Sequence, residues 1–347
     1  MENQISLLKI PIKSIFEKFA TDCKIEHPEI SIDFSKKSLV YKLRDIQKQS
    51  FSNKYLREKF QLSNYSESKF EKVRCIIQKE KHIAKYIYSI SHGFMDERYI
   101  YTHQELEFSA SKISQATQGI SLIIQEQNAT EAFSAYVSPS NVIFCKQEQN
   151  NVYSYPLYSQ EQVNIKQDCI AALAKHTKFT FSTEEEKEII FYYIYALCQI
   201  DSPTFVNKES LIPFISDREY FSKVANIGKN FLHAHLLKTQ LDVNTDFHIL
   251  GNGQISKAKF MPNGTNSQTG KLMLNHDQCF SNVNQSVWDF SKLGIPVLQS
   301  WLQSREHLTL DTSTMATLQR MISAIEYHLN TKSSLEKLLH QLELFKN

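Results

Sequence analysis

The chain has 347 residues, 41% of them hydrophobic, and a formal net charge of +2, which is enough material for two or three compact units with a substantial core. No stretch is apolar and long enough to cross a bilayer, and the segment from Met1 to Lys13 lacks a signal core, so no membrane partner and a cytoplasmic location are expected. The six cysteines lie far apart, which excludes zinc-ribbon spacing and gives no sign of a secreted disulfide scaffold.

The small net charge hides an uneven distribution. Between Lys36 and Lys85 there are fourteen Lys and Arg against five Asp and Glu, a local balance of +9. A polyanion is attracted to such a region, although solvated helix faces have the same composition. In "KKSLVYKLRDIQKQ", Leu39, Leu43 and Ile46 recur at helical spacing, with Lys37, Arg44 and Lys48 on the opposite face. A second helix is expected over Glu71–Tyr88, with an apolar line of Val73, Ile76, Ile77, Ala84 and Ile87. Arg74, Lys81 and Lys85 form a basic stripe beside that line. Two such stripes on neighbouring helices can track a phosphate backbone.

From Ser89 to about Tyr158 the pattern turns to short β-prone runs, at Tyr99–Tyr101, Ile120–Ile124, Val142–Phe144 and Val152–Tyr155, punctuated by Pro139 and Pro156. Helix returns near Ser182. Ser182 with Glu185, and Thr183 with Glu186, both have capping-box spacing, and the run "EIIFYYIYALC" behind them is apolar around much of its circumference. Another helix fits Asp217 to Leu237. Residues 251–275 contain four of the eight glycines, three lysines and no acid, and alternation at Ile255–Phe260 and Lys271–Leu274 predicts two strands joined by a polar loop. Two leucine-rich stripes, Leu318 to Leu329 and Leu335 to Leu342, finish the chain as helices, with Ser333 and Glu336 spaced to cap the last.

These elements make an α+β fold: a basic helical region over 1–88, a mixed α/β recognition region over 89–180, and a helical scaffold over 181–347 with a hairpin inserted near 248–280.

Most catalytic signatures are missing. There is no Pro-Pro dipeptide for the loop that holds a flipped adenine during amino methylation, and no glycine-rich strand-to-helix turn for a methyl donor or nucleotide. There is no Gly-Lys-Ser/Thr for a phosphate-binding loop. Glu185-Glu186-Lys187 has the spelling of a metal-dependent nuclease motif, but it sits at a helix start where acids favour the dipole. His233 and His235 are about 200° apart on a helix and cannot share a metal, and no nucleophile accompanies His276-Asp277. A chain without catalysis, cofactor or metal is expected.

Six aromatic-rich blocks carry a resemblance. They are "FMDERYIY" from Phe94, "YSYPLY" from Tyr153, "IIFYYIYAL" from Ile189, "YFSKVANIGKNFLHAHLL" from Tyr220, "VWDF" from Val287 and "GIPVLQSWLQSREHLTL" from Gly294. In this order, from about Ile30 to about Asn330, they resemble the C-terminal specificity domain of type ISP restriction-modification enzymes. The resemblance implies recognition of double-stranded DNA in phage defence. A separately encoded methyltransferase or helicase-nuclease would then be the catalytic partner. The resemblance also allows an excised domain of a larger enzyme, although Met1 and the unmatched first thirty residues favour a native start. The family's version of the first block has an Arg-Pro-Phe before Asp96, and here Gly93, Phe94 and Met95 stand in that place, while Asp96, Arg98 and Tyr99 fit. The segment after Tyr195 is shorter than the family's, which points to an alternative, a protein-interaction subunit that kept the fold but not the DNA contacts. A nuclease centred on Glu185 is a third reading.

Side-chain chemistry selects the expected DNA contacts. Lys37, Arg44, Lys48, Arg74, Lys81, Lys85 and Arg98 suit phosphate. Lys257, Lys259, Asn263, Gln268, Lys271 and Asn275 suit the hairpin, where Asn and Gln can bond adenine and Lys can bond guanine. Asn266 and Gln278 have the same chemistry.

Overall fold

The computed structural model describes residues 5–21, 25, 27–106, 118–126, 134–140, 151–200, 211–239, 241, 247–248, 253–265 and 267–342. In chain order the principal elements begin with β1 (Leu7–Pro11), β2 (Ala20–Thr21), α1 (Lys36–Gln47), α2 (Asn53–Lys59) and α3 (Glu67–Lys79). Strands β3 (Ile87–Gly93), β4 (Asp96–Tyr101), β5 (Gln118–Glu126), β6 (Ser134–Ser140) and β7 (Asn151–Pro156) follow. The remainder comprises α4 (Gln167–Thr177), α5 (Glu184–Leu197), β8 (Leu211–Ile215), α6 (Arg218–His235), β9 (Phe247–His248), β10 (Lys259–Pro262), β11 (Thr269–Met273), β12 (Cys279–Asn284), α7 (Val297–Gln303) and α8 (Thr312–Gln341). The fold is α+β, with several small sheets and a long closing helix.

The chain divides into two compact units that interleave in sequence. The first contains Met1–Lys18, Leu122–Val137 and Leu157–Asn347, the second Phe19–Ser121 and Ser138–Pro156. One four-stranded sheet has the order β2-β7-β5-β6.

In the second unit, α1 turns Leu39, Leu43 and Ile46 inward to meet Leu56, Phe70, Val73 and Ile77 from α2 and α3, all buried. This is the apolar spacing that the sequence predicts for α1. The helix expected over Glu71–Tyr88 instead ends at Lys79, and Ile87 and Tyr88 begin β3. The β-branched and aromatic run Ile87–Ile90 gains more from the antiparallel ladder with β4, where Ile87 faces Tyr101 and Ile90 faces Arg98. Ile32–Asp33 adds a third short strand beside β4. Strand β6 escapes the sequence pattern, because Pro139 lies inside it. Its position at the edge of the sheet explains why a residue without an N–H is tolerated. The strand expected at Val142–Phe144 lies outside the described residues.

In the first unit, the Thr183–Glu186 capping box forms, with Glu186 N–H donating to Thr183 Oγ1 at 3.2 Å and Thr183 N–H donating to Glu186 Oε2 at 3.0 Å. Glu185 and Lys187 lie on that first turn, and Lys187 pairs with Glu184 at 2.7 Å. Residues 190–197 of α5 are all buried. Tyr193 stacks on Phe221 of α6 and Phe214 of β8, and its hydroxyl donates to the Pro213 carbonyl at 2.9 Å. Strand β8 pairs antiparallel with β1, from Leu7 with Ile215 to Pro11 with Leu211. Helices α5 and α6 meet at Gly228, where a Cβ would stand 1.8 Å from the Tyr192 carbonyl oxygen. Gly228→Ala should therefore force the two helices apart and destabilise the protein by about 3 kcal/mol, measurable as a lower urea midpoint with an unchanged m-value.

The two closing helices predicted from the leucine stripes are one 30-residue helix, α8. No Gly or Pro separates the stripes, and Ser334 turns its hydroxyl back to the Asn330 carbonyl, so the backbone has no local alternative to continuing.

Candidate nucleic-acid interface

Two surfaces, one on each unit, carry the residues expected to meet DNA. On the second unit, Ser35 caps α1 by accepting the Ser38 N–H at 3.0 Å. With the apolar face inward, Lys37, Arg44 and Lys48 stand exposed on the opposite face. Tyr41, 59% exposed, fills the gap between them at helical spacing, so the stripe runs cation, phenol, cation, cation. Sequence reasoning passed over Tyr41, although its position four residues after Lys37 marks it as a member of that face.

The end of the stripe is partly neutralised. Asp45 accepts from Lys48 Nζ at 2.6 Å and Lys59 Nζ at 2.7 Å. These hydrogen bonds, from Lys48 first and then Lys59, hold the Asp45 carboxyl below its ordinary value. Lys48 also lies 5.2 Å from the centre of the Phe51 ring, and Lys59 lies over Phe51, Tyr55 and Phe60. Lysine ammonium groups are thus held against aromatic faces near the surface.

Arg74 departs from expectation and is a correction. It is buried, and its Nε donates to the Ile46 carbonyl at 3.0 Å, while NH2 donates to the carbonyls of Lys48 at 2.6 Å and Phe51 at 2.8 Å. NH1 donates to Asn53 Oδ1 at 2.5 Å. A guanidinium so occupied ties together carbonyls at and just beyond the end of α1 and has little left to offer a phosphate. Arg98 is compensated as well. Its Nε and NH2 both donate to Asp96 Oδ2, at 3.1 and 2.7 Å, and its guanidinium lies over the Phe34 ring. Lys81 and Lys85 are exposed beyond the end of α3.

On the first unit, β10 and β11 pair antiparallel, with Lys259 opposite Met273 and Met261 opposite Lys271. Strand β11 pairs in turn with β12, and β9 pairs with the far side of β12. Leu272, Phe280 and Val283 are buried, whereas Lys259, Met261 and Lys271 are exposed. Gly270 is required where the Phe260 ring crosses β11, since a Cβ there would lie 2.6 Å from that ring and 2.3 Å from the Met261 carbonyl oxygen. The predicted hairpin exists, but its first strand starts at Lys259, later than expected. The preceding segment is stitched elsewhere, with Ile255 N–H donating to the Leu308 carbonyl and Leu310 N–H to the Gly253 carbonyl.

Asn263 and Gln268 are exposed at the hairpin tip, where Asn263 N–H donates to the Thr269 carbonyl at 3.0 Å. Asn266 lies outside the described residues. Asn275 is a second correction. Its Nδ2 donates to the Gln254 carbonyl and to Gln278 Oε1, and its Oδ1 accepts the N–H groups of Asp277 and Gln278. That amide is engaged in shaping its own turn, and Gln278 is buried beneath it. Lys257 is exposed, with a left-handed backbone at φ 52°.

Among the described residues no group of three or more His, Cys, Asp or Glu is arranged to hold a metal, and Cys75, Cys169, Cys198 and Cys279 are free thiols.

Comparison with known proteins bears on what these surfaces meet. The sequence matches the family described as Type ISP C-terminal specificity domain over residues 14–336. A search of curated proteins gave no match. Among solved structures, 95% of the chain superposes on a nuclease-deletion mutant of the Type ISP restriction-modification enzyme LlaGI in complex with a DNA substrate mimic, with a TM-score of 0.59 and 14% identity. The DrdV–DNA complex matches 93% of the chain with a TM-score of 0.61 and 12% identity. The ATP-dependent Type ISP restriction-modification enzyme LlaBIII bound to DNA matches 92% with a TM-score of 0.60 and 15% identity. The chain spans 33%, 36% and 23% of the lengths of those three chains, respectively.

Proposed function

Because this chain belongs to the Type ISP C-terminal specificity domain family, we propose that it recognises a double-stranded DNA target and leaves the bond-making or bond-breaking to another polypeptide. The observation that carries this reading is the family match across residues 14–336, together with three similar folds solved with DNA. The exposed Lys37–Tyr41–Arg44–Lys48 stripe suits a phosphate backbone, with Lys81 and Lys85 as further phosphate contacts. The hairpin, with Asn263, Gln268, Lys259 and Lys271 exposed, suits base edges. The catalytic partner in this reading is a separately encoded methyltransferase or helicase-nuclease, acting in phage defence.

Selection of bound duplexes from a random-sequence library tests the reading, and failure to retain any duplex at low salt removes it. In the same assay Asn263→Ala, Gln268→Ala and Lys271→Ala should change the preferred sequence, by roughly 1–3 kcal/mol for each two-bond base pairing removed. A uniform loss across all sequences would show that the hairpin holds the backbone instead.

The internal neutralisation of Arg98 by Asp96, and of Lys48 and Lys59 by Asp45, favours one second reading, a protein-interaction subunit. A stable complex with a partner protein that is indifferent to Lys37→Glu plus Arg44→Glu would support that reading over DNA recognition.

A further inference from the structure

Beside the hairpin, the first unit contains an open recess of about 220 Å³. Ile255, Leu302 and Trp288 form its apolar walls, and Lys257, Gln303 and Glu306 stand around it. The first wall is fixed by backbone pairing, because the Ile255 N–H and carbonyl are bonded to Leu308 and His307. Leu302 and Gln303 come from the last turn of α7, and Gln299 of the same helix donates to the Trp288 carbonyl at 3.3 Å. The recess is thus preformed. Among the described residues neither Lys257 nor Glu306 makes an ion pair, so both charges remain available to a ligand.

We propose that this recess takes one unpaired nucleobase of the bound DNA, with amino-bearing bases such as adenine and cytosine preferred over thymine; the inference rests on the DNA-recognition reading above. An indole wall suits the π-face of a base, and stacking of this kind accepts any base. Lys257 lies two residues ahead of β10, on the segment that leads into the hairpin, and supplies the cation for the phosphate of that nucleotide. Glu306 sets the preference. A carboxylate accepts from the exocyclic amino group that adenine, cytosine and guanine carry and thymine lacks, and repels the carbonyl that thymine presents in its place. The sequence block "VWDF" around Trp288 thereby acquires a role in ligand binding.

The test is a fluorescence titration of the full chain with the 5′-monophosphates of deoxyadenosine, deoxycytidine and thymidine. Trp288 reports, while Trp301, buried with the Arg305 guanidinium 3.8 Å from its ring, contributes a constant background. The adenine and cytosine nucleotides should quench saturably, and the thymine nucleotide should bind on the order of tenfold more weakly. Glu306→Gln, a change at an exposed position, should reduce that preference, because an amide can donate to the thymine carbonyl. Ala258→Phe, which fills the recess, should remove quenching by all three. Absence of saturable quenching in the unaltered chain, equal binding of the three nucleotides, a preference untouched by Glu306→Gln, or quenching that survives Ala258→Phe overturns the inference. Duplex retention by the unaltered chain is measured in parallel. Retained duplex with a failed titration removes the base recess alone, whereas no retained duplex removes the DNA reading beneath it.

Discussion

Changing Lys37, Arg44 and Lys48 together to glutamate should weaken duplex binding on the order of a thousandfold at physiological salt, equivalent to about 4 kcal/mol, and equally for every sequence. The three side chains are exposed, Lys37 and Arg44 on one face of α1 and Lys48 just past its end, where a phosphate backbone would meet a row of cations and in the variant meets a row of anions. Lys48 contributes least, because Asp45 already holds its ammonium group at 2.6 Å. The milder triple change to alanine should lower the slope of log affinity against log salt by roughly two to three, near 0.9 for each phosphate no longer neutralised. Exposed positions of this kind alter folding stability by no more than about 0.5 kcal/mol, so the urea midpoint serves as the control. An unchanged affinity and salt slope would remove the stripe from the DNA-binding surface.

Acidification should unfold the protein earlier than its carboxylates require. In the first unit, His235 Nδ1 lies 2.5 Å from the Tyr195 hydroxyl, and His235 Nε2 lies 3.1 Å from His328 Nδ1. A Tyr195 hydroxyl that donates to His235 leaves His235 Nε2–H to donate to His328, a chain that is satisfied only while both rings are neutral. Phe231 and Phe290 pack against His328. Burial, followed by the charge of Lys292, pushes His235 well below the ordinary histidine value. Burial first, then His235, Lys292 and Lys332, does the same for His328. In the unfolded chain both rings titrate near the ordinary value of about 6.5. Below that pH the unfolded state therefore binds more protons than the native state. The stabilisation is complete above about pH 6.5 and declines as pH falls, with a limiting slope of about 2.7 kcal/mol per pH unit for two protons. The lowered carboxyls of Asp45, Glu184 and Asp311 lose their contributions only at pH values around and below those of ordinary carboxylates; between about pH 5 and 6.5 His233, lowered by burial and then by Lys229 and Lys238, adds to the loss, and Glu97, raised by burial, opposes it. Urea unfolding across that range should show a steep loss in the unaltered chain and a shallower slope in His328→Gln. Equal slopes in the two proteins would mean that the buried pair does not govern the acid limb.

The parts of the fold that local spacing made legible are those where one face of a helix meets a core. Leu39, Leu43 and Ile46 announce α1, and the apolar run behind Thr183 announces a buried α5, because a 3.6-residue period leaves no other arrangement that buries them. The exposed stripe follows from the same geometry, and Tyr41 was available to that argument. The fates of Arg74 and Asn275 were not legible. Each is decided by which backbone carbonyls and amides the tertiary fold brings close, and neighbours in sequence carry no record of that. The break at Lys79 depended on a ladder between Ile87–Ile90 and β4, and the continuous α8 on the absence of a breaker between two stripes that look separable. Arg98 illustrates a balanced case. Asp96 two residues away offered pairing, a phosphate offered another fate, and only the Phe34 ring on its other side shows why the compact arrangement prevails.

The clasp of Arg74 on the carbonyls of Ile46, Lys48 and Phe51 has a thermodynamic consequence for the exposed end of α1. The backbone that carries Lys48 is immobilised when the chain folds, so no further loss of main-chain freedom opposes association when a polyanion arrives. On the DNA-recognition reading, a single inward-facing cation would thus tune the entropy of an encounter that takes place on the surface above it.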